Sequence, residues 1–354
     1  MNNKETLFYK DKPIFGFDIG HSSLKVMQIN STGKKHTISA YGTIAFDPES
    51  IKDGVIVNPT KIAESAYELF SNRLVGDITT NRAIFSVPAS HCYSRTVQLP
   101  LLGSKELFDA VQLEVEQYVP IANDKLYIDY SKLSETDGEA EIIIVAVPKT
   151  IIDSYLILAK ILNLEVAGIQ TSITASGRLF LATEEAKSPT VLIDFGSLSS
   201  DLTIYDNGLV ITSTISSGGD NITEKIASTL DVTNREAHII KTKYGLNVSK
   251  KQQQIQNGLS PILQQMIKEI RRMIRYYEER NTSNGKISQI ITMGGGANMP
   301  GLSNYIIDSL RLPVRMCEPW EKVKFGSLQP PNSIEKAMYI TVAGLALTTP
   351  RELT

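Results

Sequence analysis

One short pattern occurs twice in this chain, and each copy opens one half of it. Near the start stand Asp18, Gly20, Ser22 and Ser23 behind the apolar Ile14-Phe-Gly-Phe17. In the middle stand Asp194, Gly196, Ser197 and Ser199 behind Val191-Leu-Ile193. Each reads as a strand, then Asp-x-Gly-x-x-Ser, then a return strand (24–29 in the first copy, 202–205 in the second). Glycine in so tight a turn lets backbone N–H groups approach an anion with no Cβ in the way. The serines add hydroxyl donors. An aspartate at each strand end suits magnesium, which prefers oxygen ligands and keeps several waters. A single Asp-x-Gly turn is common in hairpins. Two at matching places, facing each other from two lobes, would grip a triphosphate from both sides.

A third glycine stretch follows the strand expected over 289–293. Gly294, Gly295 and Gly296 lead through Ala297, Asn298, Met299 and Pro300 to a helix over 302–310. Three glycines in a row cost backbone entropy, so a close approach of backbone to a ligand is expected here. A helix start favours anions. The three glycines, Asn298 and Met299 therefore join the candidate binding residues.

Between these points strands and helices alternate. Helical spacing runs over 60–69, where Ile62, Ala66, Leu69 and Phe70 share a face. A compact block follows, with strands over 83–87, 93–99, 126–133 and 141–147 and a helix capped by Ser104. It reads as a unit inserted into the first lobe. After the second turn come a strand over 209–215, a helical region over 220–258 and a separate helix over 262–280. The class is α/β, with a sheet in each lobe.

Composition excludes several functions. With 354 residues, 42% of them hydrophobic, the chain can bury more than one core. A formal charge of −2 argues against a nucleic-acid binder. Lys268, Arg271, Arg272 and Arg275 share their helix with Glu269, Glu278 and Glu279 and read as a solvated face. Cys92 and Cys317 are too few for a disulfide framework or a thiolate zinc site, and no Gly-x-x-x-x-Gly-Lys-Ser/Thr loop occurs. The polar N-terminus and the short longest apolar run (142–147) lead to the expectation of a soluble cytoplasmic protein with no direct membrane insertion.

Taken in order, the two turns and Gly-Gly-Gly-Ala-x-x-Pro-Gly-Leu resemble the superfamily of actin, FtsA, sugar kinases and heat-shock chaperone ATPases. Within it the chain is most similar to the PilM proteins of type IV pilus assembly. Gly16 to Gly20 with Ser22, Ser23 and Lys25 looks like the PilM opening, and His21 is an unusual neighbour of that turn. Val87-Pro88, the run from Leu107 to Pro120 with Glu114, Glu116 and Tyr118, and the stretch Val145 to Lys149 look like its insert. Leu192 to Asp201 and Gly218-Gly219-Asp-Asn-Ile222 look like its second half.

The resemblance implies an actin-like two-lobed fold with an FtsA-type inserted subdomain. The first-lobe core would be 1–80 and 151–187, with 326–354 packing back on it, and the insert 81–150. The second-lobe core would be 188–215 and 286–325, and a helical subdomain 216–285. It also implies a cytoplasmic adaptor that binds ATP and Mg²⁺ and takes the N-terminal cytoplasmic peptide of PilN beside the insert. Such an adaptor works next to the pilus motor ATPases and can self-associate. Lys241 matches the family lysine near ribose and adenine, while His238 stands where the family has glutamate. Gln170 falls near the residue that positions the attacking water, on a helix before the second turn, and Asp194 is the other candidate catalytic group. Slow or no hydrolysis is expected. The alternatives are an FtsA-like division protein, whose class ends in an amphipathic membrane helix not seen at 348–354, and a small-molecule kinase or ATPase.

Overall fold

The computed structural model describes residues 12–33, 35–136, 138–183, 188–206, 208–280 and 285–349. The N-terminal stretch read as lacking a signal, and most of the C-terminal stretch read as lacking an amphipathic helix, lie outside them.

The first half begins with β1 (Phe15–Ile19), β2 (Ser23–Thr32) and β3 (Lys35–Ala45), an antiparallel run. After α1 (Pro59–Glu68), whose first turn is capped by Asn58, β4 (Arg82–Val87) lies parallel to β1. The chain then leaves the sheet to build the insert: β5 (Tyr93–Pro100), α2 (Ser104–Tyr118), β6 (Leu126–Thr136) and β7 (Glu139–Pro148). Its strand order is β5-β7-β6. Alternate residues of β7, namely Ala140, Ile142, Ile144 and Ala146, bury against Val111 and Val115 of α2. Ser104, expected as the cap of α2, is its first helical residue. Gly103 takes the cap position, and its N–H donates to Glu106 Oε2 at 3.1 Å. The glutamate accepts from the cap residue's own N–H, whereas a capping serine would have accepted from an N–H inside the first turn.

The chain returns through α3 (Lys149–Ile161), β8 (Glu165–Thr171) and α4 (Ser172–Thr183). The second half repeats the plan of the first with β9 (Thr190–Phe195), β10 (Ser200–Tyr205) and β11 (Leu209–Ile215), again antiparallel. Then come α5 (Gly219–Leu230), α6 (Asn234–Lys243), α7 (Gln252–Arg280), β12 (Gln289–Met293), α8 (Leu302–Leu310) and β13 (Val314–Met316). β14 (Val323–Lys324) and α9 (Ile340–Ala346) close the described chain. The sheet orders are β8-β4-β1-β2-β3-β14 and β11-β10-β9-β12-β13. In both, a three-stranded antiparallel run continues into parallel strands from its first member.

The break expected between 258 and 262 is absent. α7 runs through Pro261 as one helix. A proline inside a helix costs about 3 kcal/mol. Here Ile255, Leu259, Leu263, Met266, Ile270, Met273 and Tyr277 form one buried stripe on both sides of it. Each such side chain contributes roughly 1.5–3 kcal/mol on burial, so the stripe outweighs the proline. A shared core joins the two sheets. Leu179 and Phe180 of α4 and Ile340, Val342 and Ala343 of α9 pack with Met27 of β2, Leu192 of β9 and Ile291 of β12.

Candidate functional site

The two Asp-x-Gly turns are alike down to single hydrogen bonds. Gly20 N–H donates to Ser23 O at 2.9 Å, and Gly196 N–H donates to Ser199 O at 3.0 Å. The hairpins then pair equivalent positions: Asp18 with Lys25, and Asp194 with Asp201.

These cross-strand partners differ in charge. Asp18 Oδ2 accepts from Lys25 Nζ at 3.3 Å, and Oδ1 accepts from Ser86 Oγ, which β4 brings alongside. Lys25 and Asp18 are both largely buried and neutralise each other. Asp194 instead faces another acid. Its Oδ2 accepts from Ser176 Oγ of α4 at 3.3 Å and from Thr341 Oγ1 of α9 at 3.5 Å. Asp201 accepts from Thr214 Oγ1 at 2.8 Å and from Ser172 Oγ at 3.3 Å.

Burial pushes the Asp194 carboxyl up to about 7. The charges of Asp201 and Asp18 push the same way, and the Ser176 hydrogen bond and Lys25 oppose them. Burial also raises Asp201, against its bonds from Thr214 and Ser172. Asp18 and Lys25, from the first turn, thus act on Asp194, from the second. The first turn therefore lies near enough to the second for its charges to act on the Asp194 carboxyl.

Other candidates gather around the second turn. Gly219 N–H donates to Gly196 O and Asp220 N–H donates to Ser197 O, both at 2.9 Å. A Cβ at Gly218 would sit 2.3 Å from Ser197 O. Lys241 Nζ donates to Gly219 O and to Thr223 Oγ1, both at 2.7 Å. Burial lowers its pKa, and Asp220 partly opposes that. Gly294 has a φ of +80°, and a Cβ there would meet Asp194 Oδ1 at 2.3 Å. The third glycine stretch therefore lies directly on the second carboxylate. Gly296 borders Phe195, and Gly295 is exposed.

Asn298 and Met299 hold this loop from behind. The Asn298 amide donates to Ile334 O at 3.0 Å, and Met299 is buried in the second-lobe core. In the first turn His21, Ser22 and Ser23 are half-buried; in the second, Ser197 is exposed and Ser199 half-buried. His238 is exposed on α6. Gln170 lies at the end of β8, not on a helix as expected. Its Oε1 accepts from Arg178 Nη1 at 2.8 Å and from Thr348 Oγ1 at 3.5 Å.

Sequence reading left Asp201, Ser86, Ser172, Ser176 and Thr341 out of the site. For Asp201 a signal existed: it occupies in the second copy the place Lys25 holds in the first. The hydroxyls gave none, because they reach the carboxylates from distant parts of the chain.

The donor set suits a hard cation. Among the described residues no group of three or more His, Cys, Asp or Glu could hold a metal by itself. The half-buried Asp194 carboxylate, pressed by the like charge of Asp201, instead suits Mg²⁺ held partly through water and ligand oxygens. No helix of the described residues is long and apolar enough to cross a membrane.

Known proteins share this architecture. The solved structure described as a PilM-PilN type IV pilus biogenesis complex superposes with a TM-score of 0.82 at 20% identity, covering 98% of this chain and all of that one. MreB5 of Spiroplasma citri, solved with AMPPNP bound, gives a TM-score of 0.54 at 12% identity, with 95% of each chain covered. In sequence, the cell division protein FtsA of Bacillus subtilis is 24% identical, covering 90% of this chain and 80% of FtsA. The family described as type IV pilus assembly protein PilM matches residues 16–350. With that match running from just before the first turn to beyond α9, this chain belongs to the PilM family of type IV pilus assembly proteins.

Proposed function

We propose that this protein is an adaptor of type IV pilus assembly that holds Mg-ATP between its lobes and takes the cytoplasmic tail of a PilN-type membrane partner beside its insert. One observation carries the nucleotide part: the two turns share the same backbone hydrogen bond, and the charges of the first act on the carboxylate of the second, which is short of positive charge. A bound cation relieves that deficit. The likeness to MreB5 with AMPPNP supports the same reading.

In this reading the N–H groups and hydroxyls around Gly20, His21, Ser22, Ser23, Gly196, Ser197 and Ser199 bind phosphates, with Lys25 as a nearby positive charge. Asp18 and Asp194 orient the waters of a magnesium ion, which supplies charge neutralisation when bound. Gly218, Gly219 and Lys241 border the nucleoside from one side, and the backbone of Gly294 to Gly296 from the other. Gln170 is occupied by Arg178, which fits slow or absent turnover.

The partner part rests on the family and on the PilM-PilN complex that shares this fold. Exposed Leu156 and Ile157 of α3, with Tyr127 of β6 bonded to Asp153 of the same helix, offer apolar surface where the insert meets the first lobe. An extended tail with apolar anchors suits such a surface. Residence at the inner face of the membrane follows through this partner, and the motor ATPases and a second copy are further candidate partners.

Calorimetric titration with Mg-ATP, and separately with a PilN N-terminal peptide, tests both halves. Micromolar binding of each is expected. Absence of Mg-ATP binding overturns the site, and absence of peptide binding overturns the adaptor role alone.

A further inference from the structure

The root of the insert and the return strand of the second hairpin come from different parts of the chain, yet one hydroxyl touches both. Ser172 is the first residue of α4. Its Oγ accepts from Ala89 N–H at 3.2 Å, immediately after Pro88, where the chain leaves β4 for the insert. The same Oγ donates to Asp201 Oδ2 at 3.3 Å, on the second lobe. Thr214 of the edge strand β11 holds the other oxygen of Asp201.

Around this link the packing opens. A cavity of about 190 Å³ lies between Ser90, Cys92 and Ser94 on the insert side, Thr174 of α4, and Thr212 and Ser213 of β11. β5 and β11 are both edge strands, each in its own sheet. At this point the insert and the second lobe meet across a gap lined by hydroxyls on one hand and by Ile143, Val145 and Ile173 on the other, and the hydrogen-bond chain runs beside it.

We infer that Ser172 is a positioning residue that couples the proposed nucleotide site to the insert through Asp201 and the Ala89 N–H. The inference rests on the nucleotide-binding reading above. Asp194 and Asp201 are neighbours of like sign. A cation and nucleotide that settle the charge on Asp194 change the demand on Asp201 for donors. Hydrogen bonds to a charged acceptor are shorter and stronger than neutral ones, and linked bonds polarise one another. Ser172 passes that change to the backbone at Ala89, the root of the insert. Linkage is reciprocal: whatever holds the insert in one position alters nucleotide affinity by the same factor.

Hydrogen exchange of the full chain, resolved to the segment around Ala89, reads this link directly. It is measured with and without Mg-ATP in wild type, Ser172→Ala and Ser172→Thr, alongside calorimetry. In nucleotide-free protein, Ser172→Ala should speed exchange at Ala89 roughly tenfold, and Ser172→Thr should leave it near wild type. Mg-ATP should alter exchange of the segment in wild type and Ser172→Thr but not in Ser172→Ala. Affinity for Mg-ATP should fall by about three- to tenfold in Ser172→Ala and recover in Ser172→Thr. An unchanged nucleotide effect in Ser172→Ala sinks the inference, as does a wild-type segment that ignores nucleotide while calorimetry records binding. Should wild type fail to bind Mg-ATP, the nucleotide reading falls instead. The link is then judged without ligand, by comparing Ser172→Ala with Asp201→Asn. Equal Ala89 exchange in both variants and in wild type overturns it.

Discussion

The two carboxylate hairpins share a turn backbone and differ in the residue that faces the carboxylate across the strands. In the first, Lys25 faces Asp18 and the pair is neutral; in the second, Asp201 faces Asp194 and the pair carries excess negative charge. Identical turns therefore give opposite electrostatics. The first half-site is complete without a ligand. The second is held by the hydroxyls of Ser172, Ser176, Thr214 and Thr341, and by a proton where the pH allows. A protein that must respond to Mg-nucleotide gains from this asymmetry, because the unmatched half is the one whose energy a cation changes most.

The largest expected effect is on ligand retention. Asp18→Ala and Asp194→Ala should each weaken Mg-ATP binding by roughly 100-fold, since each removes a charged oxygen worth about 1.5–3 kcal/mol. Calorimetry checks this, and two variants with wild-type affinity would falsify the site.

Stability without ligand separates the halves more sharply. Asp18→Asn leaves buried Lys25 without its counter-ion and should destabilise the fold by about 1–3 kcal/mol. Asp194→Asn removes a charge the site disfavours and should stabilise it by about 1–2 kcal/mol at pH 8, an advantage gone at pH 5. Denaturant titrations at both pH values decide it; shifts of the same sign at pH 8 would break the contrast.

The wild-type pH profile follows from the same group. The Asp194 carboxyl is raised from 3.8 to about 7. The folded state keeps a proton that the unfolded chain has released, so the stabilising contribution is full below about pH 4 and lost as pH rises through about 7. Nucleotide-free protein should lose about 1–2 kcal/mol of stability from pH 5 to pH 8 through this group. Mg-ATP affinity should rise over the same interval, with proton release below pH 7. Affinity that is flat from pH 5.5 to pH 8 would remove the charge deficit as an explanation.

The smallest difference lies in the turn glycines. A Cβ at Gly196 would meet Ser199 O at 2.9 Å, whereas at Gly20 the nearest atoms, Lys25 Nζ and Ser23 O, lie at 3.3 Å. Gly196→Ala should cost about 1 kcal/mol more than Gly20→Ala in thermal unfolding. Equal costs would show that the turns relax alike.

The sequence carried much of this because its strongest signal was repetition. Asp18, Gly20 and Ser23 recur as Asp194, Gly196 and Ser199, and local turn chemistry dictates the same backbone wherever those residues stand between apolar strands. The strand over 141–147 was likewise legible, but its unbroken apolar run could not tell which face packs on α2. Boundaries set by tertiary burial were less legible. The stretches read as separate, 220–258 and 262–280, are joined across Pro261 by the buried stripe of α7, and the cap of α2 passed from Ser104 to Gly103, whose N–H the Glu106 side chain accepts.

By itself, then, the sequence determined the class of fold, the duplicated hairpins and the positions of their carboxylates, all of which depend on neighbours a few residues apart. Only the tertiary structure decided that burial raises the Asp194 and Asp201 carboxyls, that Thr341 and Ser176 reach the same oxygen, and that Gln170 is engaged by Arg178. Burial and convergence are properties of packing between segments far apart in the chain, and a carboxylate's charge state is set by what surrounds it in space.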